Sequence, residues 1–279
     1  MIEPHDPISR RRFLGQGTAA LAMGAVAPRA GAAEQSARRP NVIFVLADQL
    51  RYFSCGYAGD QRARTPNLDR LAAGGCNFQN AVSMTPVCSA YRASLFTGKH
   101  TTSTGMVINE LRLSPEHECL GHVLTRGGYR TGYIGKWHLW ANQLGHHFDD
   151  RNGFTPPGPY RLGFDGEWSA YNFHHNYYGA FYYRDEPKKI YYGAGPRDRR
   201  VYEPDAQTEM AIDFIDRASK GADPFALVLS YGTPHDPWGA DNVPPRFREM
   251  FDGVAFPKPP NYSQEQDPRA DGWGTMGRR

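Results

Sequence analysis

Long apolar runs are scarce in this chain of 279 residues. The alanine-rich stretch Thr18–Ala27 is too short to cross a membrane, which takes about 20 apolar residues. No other stretch is a candidate span, so the mature chain is expected to be soluble. Cysteine is sparse too. Cys55, Cys76, Cys88 and Cys119 are irregularly spaced and fit neither a disulfide framework nor a zinc pattern. If one of them has a special role, the other three are expected to be buried apolar residues. Charge of one sign is almost balanced, with 32 Lys and Arg against 29 Asp and Glu. Part of the excess sits in an N-terminal arginine cluster. No basic run interleaved with aromatics follows it, so nothing calls for nucleic acid. No internal repeat sets a solenoid period.

What is present is an ordinary globular balance, 40% hydrophobic and 22% charged, enough to bury a sizeable core. The length suits one large domain or two small ones. Tyrosine (16) and phenylalanine (15) are plentiful. That is compatible with a sugar- or aryl-binding surface, although core packing explains most aromatics in most proteins.

The N-terminus reads as an address. Ser9-Arg10-Arg11-Arg12-Phe13-Leu14 matches the twin-arginine export signal, an apolar stretch follows, and Ala30-Gly31-Ala32 offers a small-x-small cleavage site. Residues 1–32 are therefore expected to be removed, and the product to be periplasmic or secreted. The remaining 33–279 are expected to form one catalytic domain.

Three continuous apolar runs, Asn41–Ala47, Tyr129–Ile134 and Phe225–Tyr231, read as strands buried on both faces, as in a parallel sheet. Asn77–Ser83 is a candidate short strand. Helices are predicted over Asn67–Ala73, opened by Thr65-Pro66 and closed by glycines, then Ser89–Thr97 before Gly98, and Glu118–Arg126 before Gly127-Gly128. Asp205–Ser219 is the clearest helix, with Ala206, Met210, Phe214 and Ala218 recurring every four residues. The alternation implies an α/β fold: a mainly parallel central sheet with helices on both faces. Residues 145–202, rich in Gly, Pro, Tyr and His, break the rhythm and read as an aromatic-rich insertion. Trp168, Tyr171, Phe173, His174, His175, Tyr177, Tyr178, Phe181, Tyr182 and Tyr183 crowd within it. Two readings stay open: a substrate entrance, or a mini-core that holds a long loop in shape. The stretch after Pro244 shows no closing strand or helix.

In such a sheet, ligands bind beyond the carboxyl ends of the strands. The first strand runs into Asp48-Gln49, the second into Gly135-Lys136-Trp137-His138, and the third into Thr233-Pro234-His235-Asp236-Pro237. A helix start adds Cys88 and, one turn on, Arg92. A helix N-terminus favours an anion and lowers a thiol pKa. Singly these signals are modest: a lone cysteine is usually inert, a lone lysine a solvated charge, and a histidine after a strand as often structural as catalytic. Convergence from four segments on one sheet edge is what marks a site.

The motifs are specific. Cys88-Ser89-Ala90-Tyr91-Arg92-Ala93-Ser94-Leu95-Phe96-Thr97-Gly98 resembles the sulfatase signature, Cys-x-Pro/Ala-x-Arg followed by Thr-Gly. Pro40–Asp48, Thr65–Leu71, Gly135-Lys136-Trp137-His138 and Pro234-His235-Asp236-Pro237 resemble that family's other segments, in its order, from Pro40 to His235. The resemblance implies an alkaline phosphatase-like fold and hydrolysis of sulfate esters, as by an arylsulfatase, with release of inorganic sulfate. It implies that Cys88 is oxidised by a formylglycine-generating enzyme, and that the hydrate of the resulting aldehyde is the nucleophile. It assigns Asp48, Gln49 and Cys88 to a divalent cation, Ca²⁺ or Mg²⁺. Arg92 would hold the formylglycine oxygen, and Lys136 would bind a sulfate oxygen. His138 would be the base for elimination, and His235 would bind sulfate and assist the leaving group. The partner would be a sulfated small molecule or glycan.

Two positions depart from the family pattern. Ala90 stands where many members have Pro, and Gln49 where many have a second Asp, so one negative charge at the cation is lost. The family's later Asp-Asn metal pair is not matched by Asp241-Asn242, which follows His235 too closely and reads as a turn. The domain is thus expected to be incomplete at its C-terminal side, and weakly active alone. A phosphonate or phosphodiester hydrolase of the same superfamily and an inactive fragment are the alternative readings.

Overall fold

A computed structural model describes residues 39–141, 149–255 and 262–263. The export-signal reading of residues 1–32 and the first residues of the 145–202 stretch lie outside these. Four strands form one parallel sheet: β1 (Val42–Ala47), β2 (Arg130–Lys136), β3 (Glu167–Tyr171) and β6 (Phe225–Tyr231), in the order β1-β6-β2-β3. β4 (Phe181–Tyr182) and β5 (Ile190–Tyr191) make a small antiparallel hairpin. The long helices are α1 (Pro66–Gly74), α2 (Cys88–Thr97), α3 (Leu120–Arg126) and α4 (Glu203–Ala218).

Side chains alternate across a strand, so β2 and β6 feed two cores. Tyr133 and Val228 point to one face, where Ala93 and Phe96 of α2 pack with Trp137, Phe164 and Trp168. Ile134, Leu227 and Leu229 point to the other, against Ala211, Phe214 and Ala218 of α4. Helices therefore lie on both faces, as the apolar runs of β2 and β6 predict. α2 is small on its inner side, with Ala90 and Ala93 fully buried. It ends where Gly98 turns left-handed at φ 66° and its N–H donates to Ser94 O.

Several expectations are corrected. β1 is a strand but is not buried on both faces: Ile43 and Val45 are 50% and 56% exposed. It lies at the edge of the described sheet, with β6 as its neighbour. An apolar run sets strand propensity, not the strand's place in the sheet. Asn77–Ser83 forms no strand, and its Val82 is exposed. The 145–202 stretch does not stand apart from the sheet, because its β3 is the fourth strand, paired with β2 from Gly132↔Glu167 to Lys136↔Tyr171. Glu167-Trp-Ser-Ala-Tyr171 mixes polar and apolar residues, which hid it. Of the ten ring residues named for this stretch half, Trp168, Tyr171, His174, Tyr177 and Tyr183, are buried, and Trp168 packs into the core of the sheet itself. The buried stripe of α4 starts with polar residues, Glu203 and Gln207, rather than with Ala206 and Met210. Cys55 and Cys119 are buried as expected, but Cys76 is exposed. The segment after Pro244 contributes a helical turn, Pro245–Arg248, followed by a 3-10 turn, Glu249–Phe251.

Gly135 shows how tightly β2 and β6 are fitted. Its φ is +105°, and a Cβ there would lie 2.0 Å from Ser230 O. Gly135→Ala is therefore expected to lower unfolding stability by about 3 kcal/mol or more, read from urea denaturation. A loss near that of an ordinary surface substitution would show that the backbone can relax here.

Candidate active site

The parallel register brings the carboxyl ends of β1, β6 and β2 side by side, with Ala47 opposite Tyr231 and Gly135 opposite Ser230. Just past them, Asp48 Oδ2 is 2.5 Å from Lys136 Nζ and 3.4 Å from an Arg92 guanidinium nitrogen. Lys136 and Arg92 are fully buried. Two cations thus face one carboxylate, and the net charge left over is positive, as an oxyanion site requires. Burial alone would raise the Asp48 carboxyl, but Arg92 and Lys136 outweigh it and hold it at about 2.

Arg92 is locked by further contacts. Its Nη1 donates to Lys136 O at 2.6 Å and to Ser230 Oγ at 2.8 Å. Lys136 O also accepts from Ser230 Oγ and from the Tyr133 hydroxyl. The Cys88 sulfur lies 3.7 Å from Asp48 Oδ1 and 3.9 Å from Lys136 Nζ. Cys88 opens α2, and the next amide, Ser89 N–H, is capped by Asn109 Oδ1 at 3.1 Å. Burial raises the thiol pKa, against the pull of Lys136. The lowered pKa expected of a helix N-terminus is therefore not found, because desolvation of the thiolate is the larger effect.

The site opens into a cavity of about 600 Å³ lined by Asp48, Gln49, Cys88, Arg92, Asn109 and His235. Gln49 Oε1 accepts from Asp236 N–H, tying the end of β1 to the His235 loop. His138 follows β2 with φ +56°; its carbonyl accepts from Ser89 Oγ at 2.7 Å, and its ring meets Phe173 edge-on at 4.6 Å. Gln49 is also left-handed, at φ +60°. Backbone strain of this kind persists where surrounding contacts over-determine it. Asp48, Cys88, Arg92 and Lys136 are thus in direct contact, with Gln49 and His235 on the cavity wall. Sequence reasoning missed Asn109, Tyr133 and Ser230, whose only signal was proximity to strand ends and turns.

Asp48 and Gln49 offer oxygens and Cys88 a sulfur, and the described residues hold no cluster of three or more His, Cys, Asp or Glu fit for an ion. A hard cation such as Ca²⁺ takes about 6–8 oxygens, so these donors form one side of a cage and not a whole one. Asp241-Asn242 adds nothing to it. Asn242 is buried and spends its amide on Tyr177 N–H, His175 O and Pro237 O, in keeping with a structural turn.

Beside the site lies a sealed polar layer. Glu203 Oε1 accepts from the Tyr171 hydroxyl at 2.8 Å and from Gln207 Nε2 at 2.7 Å. Its Oε2 is 3.7 Å from His174 Nδ1. His174 Nε2 donates to Phe181 O at 2.9 Å, which leaves Nδ1 as an acceptor. Burial disfavours the charged form of each group, so both are neutral near pH 7. It pushes Glu203 up to about 8 and His174 down to about 3.

The family model for sulfatases matches residues 40–259. The chain is 39% identical over 233 residues to an ulvan-active sulfatase of Formosa agariphila, covering 83% of this chain and 42% of that protein. It is 27% identical over 253 residues to an N-acetylglucosamine-6-O-sulfatase of Bacteroides thetaiotaomicron, covering 89% and 40%. Among solved structures, a Bacteroides fragilis protein named as a sulfatase superposes with TM-score 0.67 at 29% identity, over 90% of this chain and 55% of that one. Another, in complex with its substrate D-glucosamine-2-N,6-O-disulfate, gives 0.64 at 28% identity, over 80% and 40%. The chain thus spans about two fifths of the length of these curated relatives.

The sealed layer has a measurable signature. Glu203 ordinarily titrates at 4.5 but here at about 8. Between those values the folded state keeps a proton that the unfolded chain has released, so stability falls as pH rises. His174 runs the other way, adding stability as pH rises from about 3 to its ordinary 6.5. Above pH 6.5 Glu203 is the member of the pair still acting. Glu203→Gln is expected to remove its fall in stability between pH 6.5 and 8, followed by urea unfolding across a pH series. Parallel declines in wild type and variant would show that the carboxyl is ionised in the fold.

Proposed function

The chain belongs to the sulfatase family, and from that premise we propose that it hydrolyses sulfate esters through Cys88 after oxidation to formylglycine. The observation that carries the reading is the contact set of Cys88, Asp48, Lys136 and Arg92, a nucleophile position beside two buried cations and one carboxylate. A plain thiol is poorly placed to act there, since burial holds its proton on. A hydrated aldehyde suits the same position. Such a diol would supply one hydroxyl to attack sulfur as the ester alcohol leaves with a proton, and a second whose loss of a proton would re-form the carbonyl and release sulfate.

In this reading Arg92 steadies the attacking oxygen and Lys136 the sulfate, both through charge in a site screened from water. His235, on the cavity wall, binds sulfate and protonates the leaving alcohol. His138 takes the proton in the elimination. A divalent cation, Ca²⁺ or Mg²⁺, would be held on this side by Asp48, Gln49 and residue 88, and would draw electron density from the oxygens it binds. The formylglycine itself would come from a separate generating enzyme acting on the chain before twin-arginine export, which carries folded proteins to the periplasm or beyond. No helix among the described residues is long and apolar enough to cross a membrane. A sulfated glycan is the favoured substrate class, because relatives of this chain are named for ulvan and for N-acetylglucosamine 6-O-sulfate.

Peptide mass spectrometry across Cys88, on protein from the native host, is expected to show the mass of an aldehyde in place of a thiol. An intact thiol would sink the formylglycine claim. The same protein is expected to turn over an aryl sulfate in preference to an aryl phosphodiester. Cys88→Ala should abolish that turnover, by at least about a thousandfold. Preference for the phosphodiester would move the chain to the phosphonate and phosphodiester branch of the superfamily.

A further inference from the structure

Two side chains of the 145–202 stretch converge on the His235 loop. The His175 imidazole lies flat on that of His235, ring centres 4.0 Å apart and planes within 15° of parallel. The Tyr177 hydroxyl is shared between two carbonyls of the same loop, 2.9 Å from Gly232 O and 2.8 Å from His235 O. Asn242 joins the two segments: its Oδ1 accepts from Tyr177 N–H at 2.6 Å, and its Nδ2 donates to His175 O at 2.7 Å and to Pro237 O at 2.9 Å. His235 Nδ1 lies 2.8 Å from Asp236 O, an acceptor only, and 3.1 Å from the Asp236 carboxylate. Nδ1 therefore carries a proton in the neutral and the cationic ring alike, and Nε2 is the nitrogen able to take up a second proton and give it to the departing alcohol.

These contacts divide the task of holding one imidazole. Tyr177 and Asn242 fix the backbone that carries it, Asp236 fixes which nitrogen is protonated, and His175 fixes the plane of the ring. A flat partner of this kind must stay uncharged if His235 is to gain a proton during turnover. Burial, with Lys136 and His235 close by, pushes His175 down to about 3, which keeps it neutral.

We propose that His175 and Tyr177 are positioning residues that hold the His235 ring with Nε2 toward the leaving-group oxygen. The inference rests on the reading of His235 as the group that assists the departing alcohol. If the pair only kept the long stretch in shape, their loss would weaken the fold and slow every substrate alike. A positioning role separates substrates, because an alcohol that leaves poorly depends on proton donation far more than one that leaves well.

The test has two arms on the intact protein. Nitrogen-15 NMR of the histidine rings reads the His235 tautomer, its signals identified by their loss in His235→Gln. Wild type and His175→Phe, which keeps a flat ring on the stack, are expected to show one Nδ1–H tautomer. His175→Ala and Tyr177→Phe should show a mixture. Unchanged His235 signals in both overturn the inference, and Tyr177→Phe decides if His175→Ala does not fold. In the second arm, kcat for an alkyl sulfate is expected to fall at least about tenfold more than kcat for 4-nitrophenyl sulfate in His175→Ala, with KM little changed and most of the loss restored by His175→Phe. Equal losses on both esters overturn it. If wild type turns over neither ester, the proposed hydrolysis by this chain fails, and the NMR arm alone decides whether the two residues hold the ring.

Discussion

One carboxylate organises the site. Asp48 is shared between the Lys136 ammonium and the Arg92 guanidinium, and all three are almost sealed from water. Leaving either cation there without the carboxylate would strand a buried charge, which costs several kcal/mol. The three residues come from β1, β2 and α2, so their pairing joins the sheet edge, its centre and the covering helix. Arg92 extends the join to β6 through Ser230 Oγ. The Lys136 carbonyl, which accepts from Arg92, Tyr133 and Ser230, ties the helix, β2 and β6 together at one oxygen.

Because the carboxylate is outnumbered, the same arrangement that stabilises the fold leaves a positive end to the cavity. Binding an oxyanion would bring the charges into balance. Stability and the proposed function therefore draw on the same ion cluster, and the neutral Glu203–His174 layer adds no charge beside it. Placing a protonated carboxyl beside a site proposed to bind anions avoids a repulsion that an ionised one would create.

Much of this was legible in the chain. Runs such as Phe225–Tyr231 and stops such as Gly98 carry their structure locally, so the strand and helix positions follow from periodicity and turn chemistry. The strand ends then point to Asp48 and Lys136, and the helix start to Cys88 and Arg92. What was hidden depends on partners distant in sequence. β3 is a strand because β2 lies beside it, despite the mixed polarity of Glu167–Tyr171. The exposure of β1 follows from how little packs on it among the described residues, where Phe44 alone of its side chains meets a core cluster. His175 and Tyr177 meet the His235 loop across some sixty residues, and inside an aromatic-rich stretch nothing distinguishes them from core. The thiol pKa was misjudged for a related reason: a helix start is visible in sequence, and the depth at which it is buried is not.

Among the described residues β1 is the edge strand of the sheet, and that position has a dynamic consequence. Edge strands with exposed side chains belong to the least protected parts of a fold and open locally without global unfolding. Asp48 sits at the end of such a strand, yet it is fastened to buried cations and, through its N–H, to Thr233 O. The strand is thus loose along its length and pinned at its carboxyl end. Local opening of β1 should begin near Val42 and stop short of Asp48, so that the site is insulated from the fraying of the strand that delivers its acid.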